Sequence, residues 1–352
     1  MYKIAVLGAG YMGSAITYPI TKNGHKVNLW GTWLDDKIID SCQKGFHPKL
    51  KKALPDLVNL YYSKDLVKAV EDVDMIFIAV TSDGFLPVFK KLLDTIRKDY
   101  YFFKLTKGLV EFNGKLKRAT EAAEELFSKK FPNRDFFWTT IGGPVKAVEL
   151  SNKIPTASIY GINNNKLRDL PYCFATDYYP ITISDDVIGV EVSSAFKNVY
   201  AIAIGICDGI YKPTGEGMYH NFNAFIFNQA MIEMAKIVEA AGGRNETAFD
   251  LAGIGDFYVA SLSGRNRRYG DYIGGGSDPE KTYKKMHKEG EIAEGYQALK
   301  IGFKWVNDLR DNFIDELPLL NSLYNIVFNH CNPVEELKEF VQKMKKKFKQ
   351  KY

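Results

Sequence analysis

The chain is poor in the residues that would mark a disulfide scaffold or a metal centre. Its 352 residues include four cysteines, Cys42, Cys173, Cys207 and Cys331, scattered with no Cys-x-x-Cys pair. That scatter argues against a structural zinc site and fits a reducing compartment. Five histidines, His25, His47, His220, His287 and His330, show no metal-ligand spacing, so no metal is expected. No apolar run reaches membrane-spanning length, and Met1-Tyr2-Lys3 runs straight into a strand without a leader, so a soluble, cytoplasmic protein with no membrane span is expected. The net charge is only +5. Part of it comes from the terminal run Lys343, Lys345, Lys346, Lys347, Lys349 and Lys351, which reads as a solvated helix face. No basic stripe is interleaved with aromatics, so nucleic acid is not an expected partner. No internal repeat is evident.

What is present points to a nucleotide. Lys3 to Leu7 is an apolar strand that ends in Gly8-Ala9-Gly10-Tyr11-Met12-Gly13; a helix over Ser14 to Thr21 stops at Asn23-Gly24, and a second strand runs from Lys26 to Trp30. Strand, glycine turn, helix and strand within about thirty residues is the setting in which Gly-x-Gly-x-x-Gly binds a dinucleotide. Gly8 allows the tight turn, Gly10 lets backbone N–H groups such as those of Tyr11 and Met12 approach a pyrophosphate, and Gly13 lets the helix pack on the strand. The acid that often closes the second strand is missing, because Trp30 is followed by Gly31-Thr32-Trp33. That leaves both NAD and NADP open, with Asp35 and Asp36 close by.

Further strands are expected at Val58 to Tyr62, Met75 to Val80, Tyr101 to Leu105, Phe136 to Ile141, Thr156 to Tyr160 and Ile181 to Ser184. Helical stretches, notably Leu86 to Arg97 and Leu116 to Lys130, separate several of them. The alternation implies an α/β fold, a Rossmann-type doubly wound sheet that is mostly parallel with a mixed edge. Polar groups at strand ends, Thr81-Ser82-Asp83 and Thr106-Lys107-Gly108, face the expected crevice. Beyond about Asp186 the strand signals stop. Helices are expected at Val192 to Cys207, Ala224 to Ala241, Thr247 to Leu251, Pro279 to Lys288, Glu294 to Asn307, Pro318 to Phe328 and from Pro333. Gly274-Gly275-Gly276-Ser277 reads as a flexible surface loop. The expected division is a dinucleotide-binding domain over residues 1–186 and an all-helical substrate domain over 187–352, and the apolar helices of the latter suggest a homodimer.

One charge interrupts the apolar stretch Val192 to Cys207: Lys197. A lysine in a buried helix must find an anionic partner, lose its proton or do a job. Reduction of a ketone needs a proton at oxygen as hydride reaches carbon, and Lys197 is the candidate acid. Asp256, after Gly253-Ile254-Gly255, is a candidate partner for its ammonium, and Lys107 could polarise a carbonyl from the end of its strand. Gly264-Arg265-Asn266-Arg267-Arg268 offers a forked cationic site for a phosphate or carboxylate.

With these residues in order, the chain resembles the NAD(P)-dependent sn-glycerol-3-phosphate dehydrogenase family over nearly its whole length. The resemblance rests on Gly8 to Gly13, Lys107-Gly108, Gly143-Pro144 with Ala147 and Glu149, Ala195-Phe196-Lys197-Asn198-Val199, Leu251 to Asp256, Gly264-Arg265-Asn266 and Glu294-Gly295. It implies reversible hydride exchange between NAD(P)H and dihydroxyacetone phosphate to give sn-glycerol 3-phosphate. Lys197, Lys107 and Asp256 would be the catalytic set, and Lys107, Lys197, Asn198, Arg265 and Asn266 would contact the substrate. Gly8, Gly10, Tyr11, Met12, Gly13, Thr32, Thr81, Ala147, Arg265 and Glu294 would contact the cofactor. The chain departs from the family at Ala260, where a threonine or serine is usual, at Asn223 and Gln229, where a lysine and an arginine are usual, and at Val145, where a serine is common. Those departures leave room for another phosphorylated or acidic hydroxy or keto substrate. A non-catalytic dinucleotide sensor is the third reading.

Overall fold

The computed structural model describes residues 1–214 and 219–351. The chain divides into two compact units, Met1–Glu191 and Val192–Tyr352.

The first unit is built on β1 (Lys3–Leu7), β2 (Lys26–Trp30), β3 (Val58–Tyr61), β4 (Met75–Ile78), β5 (Tyr101–Lys104), β6 (Leu109–Phe112), β7 (Lys115–Arg118), β8 (Phe137–Gly142), β9 (Ser158–Ile162) and β10 (Ile181–Ser184). Eight of them form one sheet in the order β10-β9-β8-β5-β4-β1-β2-β3. All neighbours are parallel except β8 and β9, which is the mixed edge that the closely spaced later strands imply. Side chains alternate between the faces as the pleat requires. Ile4, Val6, Val27, Leu29, Met75 and Phe77 join one core; Ala5, Leu7, Trp30, Ile76 and Ile78 join the other. Both faces are therefore covered, as a parallel sheet demands.

The order reverses at β1, between β2 and β4, and the register there sets Leu7 level with both Trp30 and Ile78. The crevice for a ligand lies beyond these carboxyl ends. Around the sheet run α1 (Tyr11–Lys22), α2 (Asp36–Gln43), α3 (Leu66–Val70), α4 (Ser82–Thr95), α5 (Ala119–Lys130) and α6 (Ala147–Ser151). Expected helix Leu116 to Lys130 starts later, at Ala119, because Lys115–Arg118 pairs with Leu109–Phe112 in a hairpin. Its turn is Asn113-Gly114, both at positive φ (53° and 71°), the residues that a tight hairpin turn favours.

The second unit, among the described residues, is helical: α7 (Val187–Tyr211, which begins in the first unit), α8 (His220–Ala240), α9 (Asp256–Leu262), α10 (Arg265–Gly274), α11 (Pro279–Lys288), α12 (Glu294–Leu309), α13 (Pro318–Phe328) and α14 (Pro333–Lys351). Instead of a helix over Thr247 to Leu251, a 3-10 turn (Asn245–Phe249) leads into a π-turn (Leu251–Gly255).

Helix α7 extends past both ends of the expected Val192 to Cys207 helix, through Glu191 and Asp208, and both of these are buried and bonded. At 25 residues the helix could cross a membrane by length and composition alone. Most of its apolar stretch (83%) is nonetheless buried inside the protein, as in a core helix.

Four glycines set how α7 and α10 meet. A Cβ on Gly205 or Gly209 would lie 1.9 or 2.1 Å from the carbonyl oxygens of Arg267 or Asp271, and one on Gly270 or Gly274 would lie 2.2 or 2.1 Å from those of Ile202 or Ile206. The backbones touch, so no side chain larger than hydrogen fits between them. Gly274, expected in a flexible loop, therefore belongs to a packed crossing, and the turn begins at Gly275.

Candidate active site

The glycine turn of the first unit has the form its spacing implies. Gly8 has φ +113°, and a Cβ there would fall 2.6 Å from the Ala79 carbonyl oxygen; at Gly13 it would fall 2.0 Å from the Gly8 oxygen. Gly10, by contrast, faces open space, with nothing within 4 Å of a Cβ. It is also the N-cap of α1 and makes no side-chain capping bond. A bare backbone turn leading into an uncapped twelve-residue helix fits a pyrophosphate, whose charge the helix N-terminus stabilises.

Around the turn, Tyr11 is exposed, Met12 half-buried and Ala147, the first residue of α6, buried. Thr81 is exposed at the N-cap of α4, just beyond β4. Thr32 is buried, and its hydroxyl donates to Asp35 Oδ2 at 2.8 Å.

Lys107 and Gly108 follow β5, with Gly108 at φ +122°. The loop is tied down by residues absent from the sequence-derived candidates. Lys104 Nζ donates to the Thr106 carbonyl (3.1 Å) and to Glu191 Oε1 (2.7 Å); Arg118 (3.3 Å) and the Thr120 N–H (3.0 Å) complete the carboxylate's partners. Burial pushes the Glu191 carboxyl up, but Lys104 and Arg118 outweigh it and hold it below the usual range, while burial pulls the Lys104 ammonium down. Lys104 carries the signal that singles out Lys197, one charge in an apolar run, here within a strand.

In the second unit, Lys197 Nζ donates to Asp256 Oδ1 at 2.7 Å, with both residues buried. Asp256 opens α9 directly after the π-turn. The close approach of Gly253 to the Ala248 oxygen, 1.9 Å from a hypothetical Cβ, is possible only for glycine.

One residue along α7, Asn198 accepts from Asn266 Nδ2 (2.9 Å), and its own amide approaches Glu294 Oε2 (3.5 Å). Asn266 Oδ1 accepts the Gly295 N–H at 2.8 Å. Gly295 in turn sits against the Asn198 backbone, 2.4 Å from a hypothetical Cβ to the carbonyl oxygen. The glycine crossing of α7 and α10 brings Arg265 and Asn266, at the start of α10, to the same stretch of α7 as Lys197. Arg267 is paired with Asp208 (2.5 Å) and Arg268 with Glu291 (2.7 Å), whereas half-buried Arg265 makes no ion pair among the described residues.

The departures from the family pattern have local partners. Asn223 donates to Asp208 (2.8 Å), the carboxylate that also holds Arg267, and Gln229 donates to buried Glu233 (2.8 Å). Ser261, beside Ala260, donates back to the Tyr258 carbonyl of its own helix (2.7 Å). Val145 is half-buried against the first unit's core. Among the described residues there is no cluster of three or more groups suited to a metal.

A doubly wound sheet with a bare glycine turn, followed by a helical unit with a buried lysine–carboxylate pair, defines a nicotinamide-dinucleotide oxidoreductase. Residues 3–168 match the NAD-dependent glycerol-3-phosphate dehydrogenase N-terminus and residues 186–338 its C-terminus, so the chain belongs to that family. It is 32% identical over 342 residues to the NADP(+)-dependent glycerol-3-phosphate dehydrogenase of Archaeoglobus fulgidus, covering 96% of this chain and 98% of that one. It is 29% identical over 350 residues to a glycerol-3-phosphate dehydrogenase [NAD(P)+] of Clostridium botulinum, covering 98% and 99%. The crystal structure of glycerol-3-phosphate dehydrogenase from Coxiella burnetii superposes with a TM-score of 0.81 at 27% identity, covering 97% of this chain and 98% of that one.

Proposed function

We propose that the protein reduces dihydroxyacetone phosphate to sn-glycerol 3-phosphate with NAD(P)H, reversibly, and that Lys197 is the acid/base. The buried Lys197–Asp256 bond of 2.7 Å carries this reading. An ammonium is a donor to oxygen and can pass a proton to it, and Asp256 offsets the cost of burying the charge. When bound, the nicotinamide supplies the hydride to C2 or takes it away. Lys197 gives the proton to the C2 oxygen in reduction and recovers it in oxidation.

Lys107 adds positive potential from the end of β5, stabilising the developing oxyanion. Arg265 is assigned to phosphate, as a guanidinium without a carboxylate partner among the described residues, and Asn266 and Asn198 orient the same region. Tyr11, Met12, Thr32, Thr81, Ala147 and Glu294 join the glycine turn as cofactor contacts, with residues 1–186 as the dinucleotide domain and 187–352 as the substrate domain. The protein is cytoplasmic and acts as a homodimer through its helical half.

A second reading keeps the chemistry and changes the substrate, and the neutral Asn223 and Gln229 favour it. One assay separates the two: purified protein, with NADH and NADPH in turn, against dihydroxyacetone phosphate and a panel of keto-sugar phosphates and 2-keto acids. Dihydroxyacetone phosphate is expected to give the highest kcat/KM, and a better substrate in the panel would contradict the assignment.

A further inference from the structure

We propose that the chain selects NADPH over NADH at the carboxyl end of β2, an inference that rests on the dinucleotide reading of the first unit. An enzyme that reads the ribose hydroxyls needs a carboxylate free to accept from them, and the same carboxylate repels a 2′-phosphate. Three acids follow β2, and each is turned to another task. Asp35 Oδ2 accepts the Thr32 N–H (3.0 Å), the Thr32 hydroxyl (2.8 Å) and the Ala9 N–H of the glycine turn (3.3 Å), and the residue is only 8% exposed. The Ala9 carbonyl is met by Nε2 of fully buried His47 at 3.2 Å, so Asp35 and His47 grip the same loop residue from within. Asp36 accepts from the N–H and hydroxyl of Ser63, both at 2.9 Å. Asp40 accepts the Tyr62 hydroxyl at 2.8 Å.

The turn instead exposes Trp33 (53%) and Leu34 (80%), with Lys37 exposed on the first turn of α2. Lys37 makes no ion pair among the described residues. An NADPH there gains a charge-assisted partner for its 2′-phosphate in Lys37 and a flat apolar surface for its adenine in Trp33, without meeting a free carboxylate.

The test is the dissociation constants of NADPH and NADH for the full-length protein without substrate, read by tryptophan quenching. NADPH is expected to bind about tenfold more tightly or better, equal to one charge-assisted contact, with the ratio shrinking as salt rises. Lys37→Ala is expected to weaken NADPH severalfold and leave NADH unchanged, and Trp33→Asp to move the ratio toward NADH. Equal or tighter binding of NADH by the unaltered protein would overturn this inference alone. Binding of neither nucleotide would overturn the dinucleotide reading and this inference with it.

Discussion

Two buried lysines, one in each unit, form short bonds to carboxylates, and their surroundings differ in ways that bear on the role proposed for Lys197. Lys104 is fully buried; its ammonium is divided between Glu191 and the Thr106 carbonyl, and Arg118 and the Thr120 N–H complete the carboxylate's partners. Lys197 is 9% exposed, bonds to Asp256, and lies beside Asn198, whose amide belongs to a chain of polar groups running through Asn266 to Glu294 and Gly295. A buried lysine therefore does not by itself mark chemistry. The difference on which the proposed role of Lys197 rests is its setting beside polar groups drawn from several elements. Glu233 extends the contrast: buried like Glu191, it has no cation among its bonding partners in the described residues and is met by Gln229, Tyr200 and the Leu319 and Leu320 N–H groups.

The comparison can be broken first at Lys104. Lys104→Met leaves Glu191 buried with Arg118 as its one cation among the described residues, and is expected to cost roughly 3–5 kcal/mol of stability. Below its lowered melting temperature, that variant is expected to keep its cofactor affinity and most of its turnover. Denaturant unfolding alongside steady-state kinetics would check both. Replacing Lys104 and Glu191 together by apolar residues is expected to cost less than Lys104→Met alone, since no charge is stranded.

A smaller effect is expected at Glu233, where burial pushes the carboxyl from 4.5 up to about 7. The folded state then holds a proton that the unfolded state has released. Stability from this group is fully present below pH 4.5 and declines as pH rises toward 7, by about 3 kcal/mol in all. Glu191 has the opposite sign. Its depressed pKa contributes stability above the ordinary carboxyl range that is lost as pH falls through the folded value. The melting temperature of the unaltered protein relative to Glu233→Gln is expected to fall as pH rises from 4.5 to 7.5, and a difference independent of pH would contradict the assignment.

The legibility of the two units in the sequence differs for physical reasons. Each strand of the main sheet is a short apolar or aromatic run, and the glycine turn is contiguous, so local pattern suffices for both. The hairpin at Asn113-Gly114 is less visible, because the lysine-rich strand after it continues into a true helix. Short helices such as Asp36–Gln43 and Leu66–Val70 are set by packing on the sheet more than by a long periodic pattern. The partners of buried charges are harder still to read. Lys104 and Glu191 are 87 residues apart, Lys197 and Asp256 59, and Asn198 and Asn266 68. Asp256 is recoverable from its glycine turn and from the family resemblance. Glu191 and Asp208, at the ends of the apolar run, look like solvated helix boundaries until their partners are in place.

The most direct test is turnover of dihydroxyacetone phosphate by Lys197→Met, measured beside Lys104→Met at a temperature where binding of NADPH shows both to be folded. Removing a positioned acid is expected to lower kcat about 10²–10⁴-fold for Lys197→Met, with NADPH affinity unchanged and Lys104→Met staying near the unaltered protein. A Lys197→Met enzyme that keeps the turnover and pH profile of the unaltered protein would contradict the assignment of Lys197 as the proton donor.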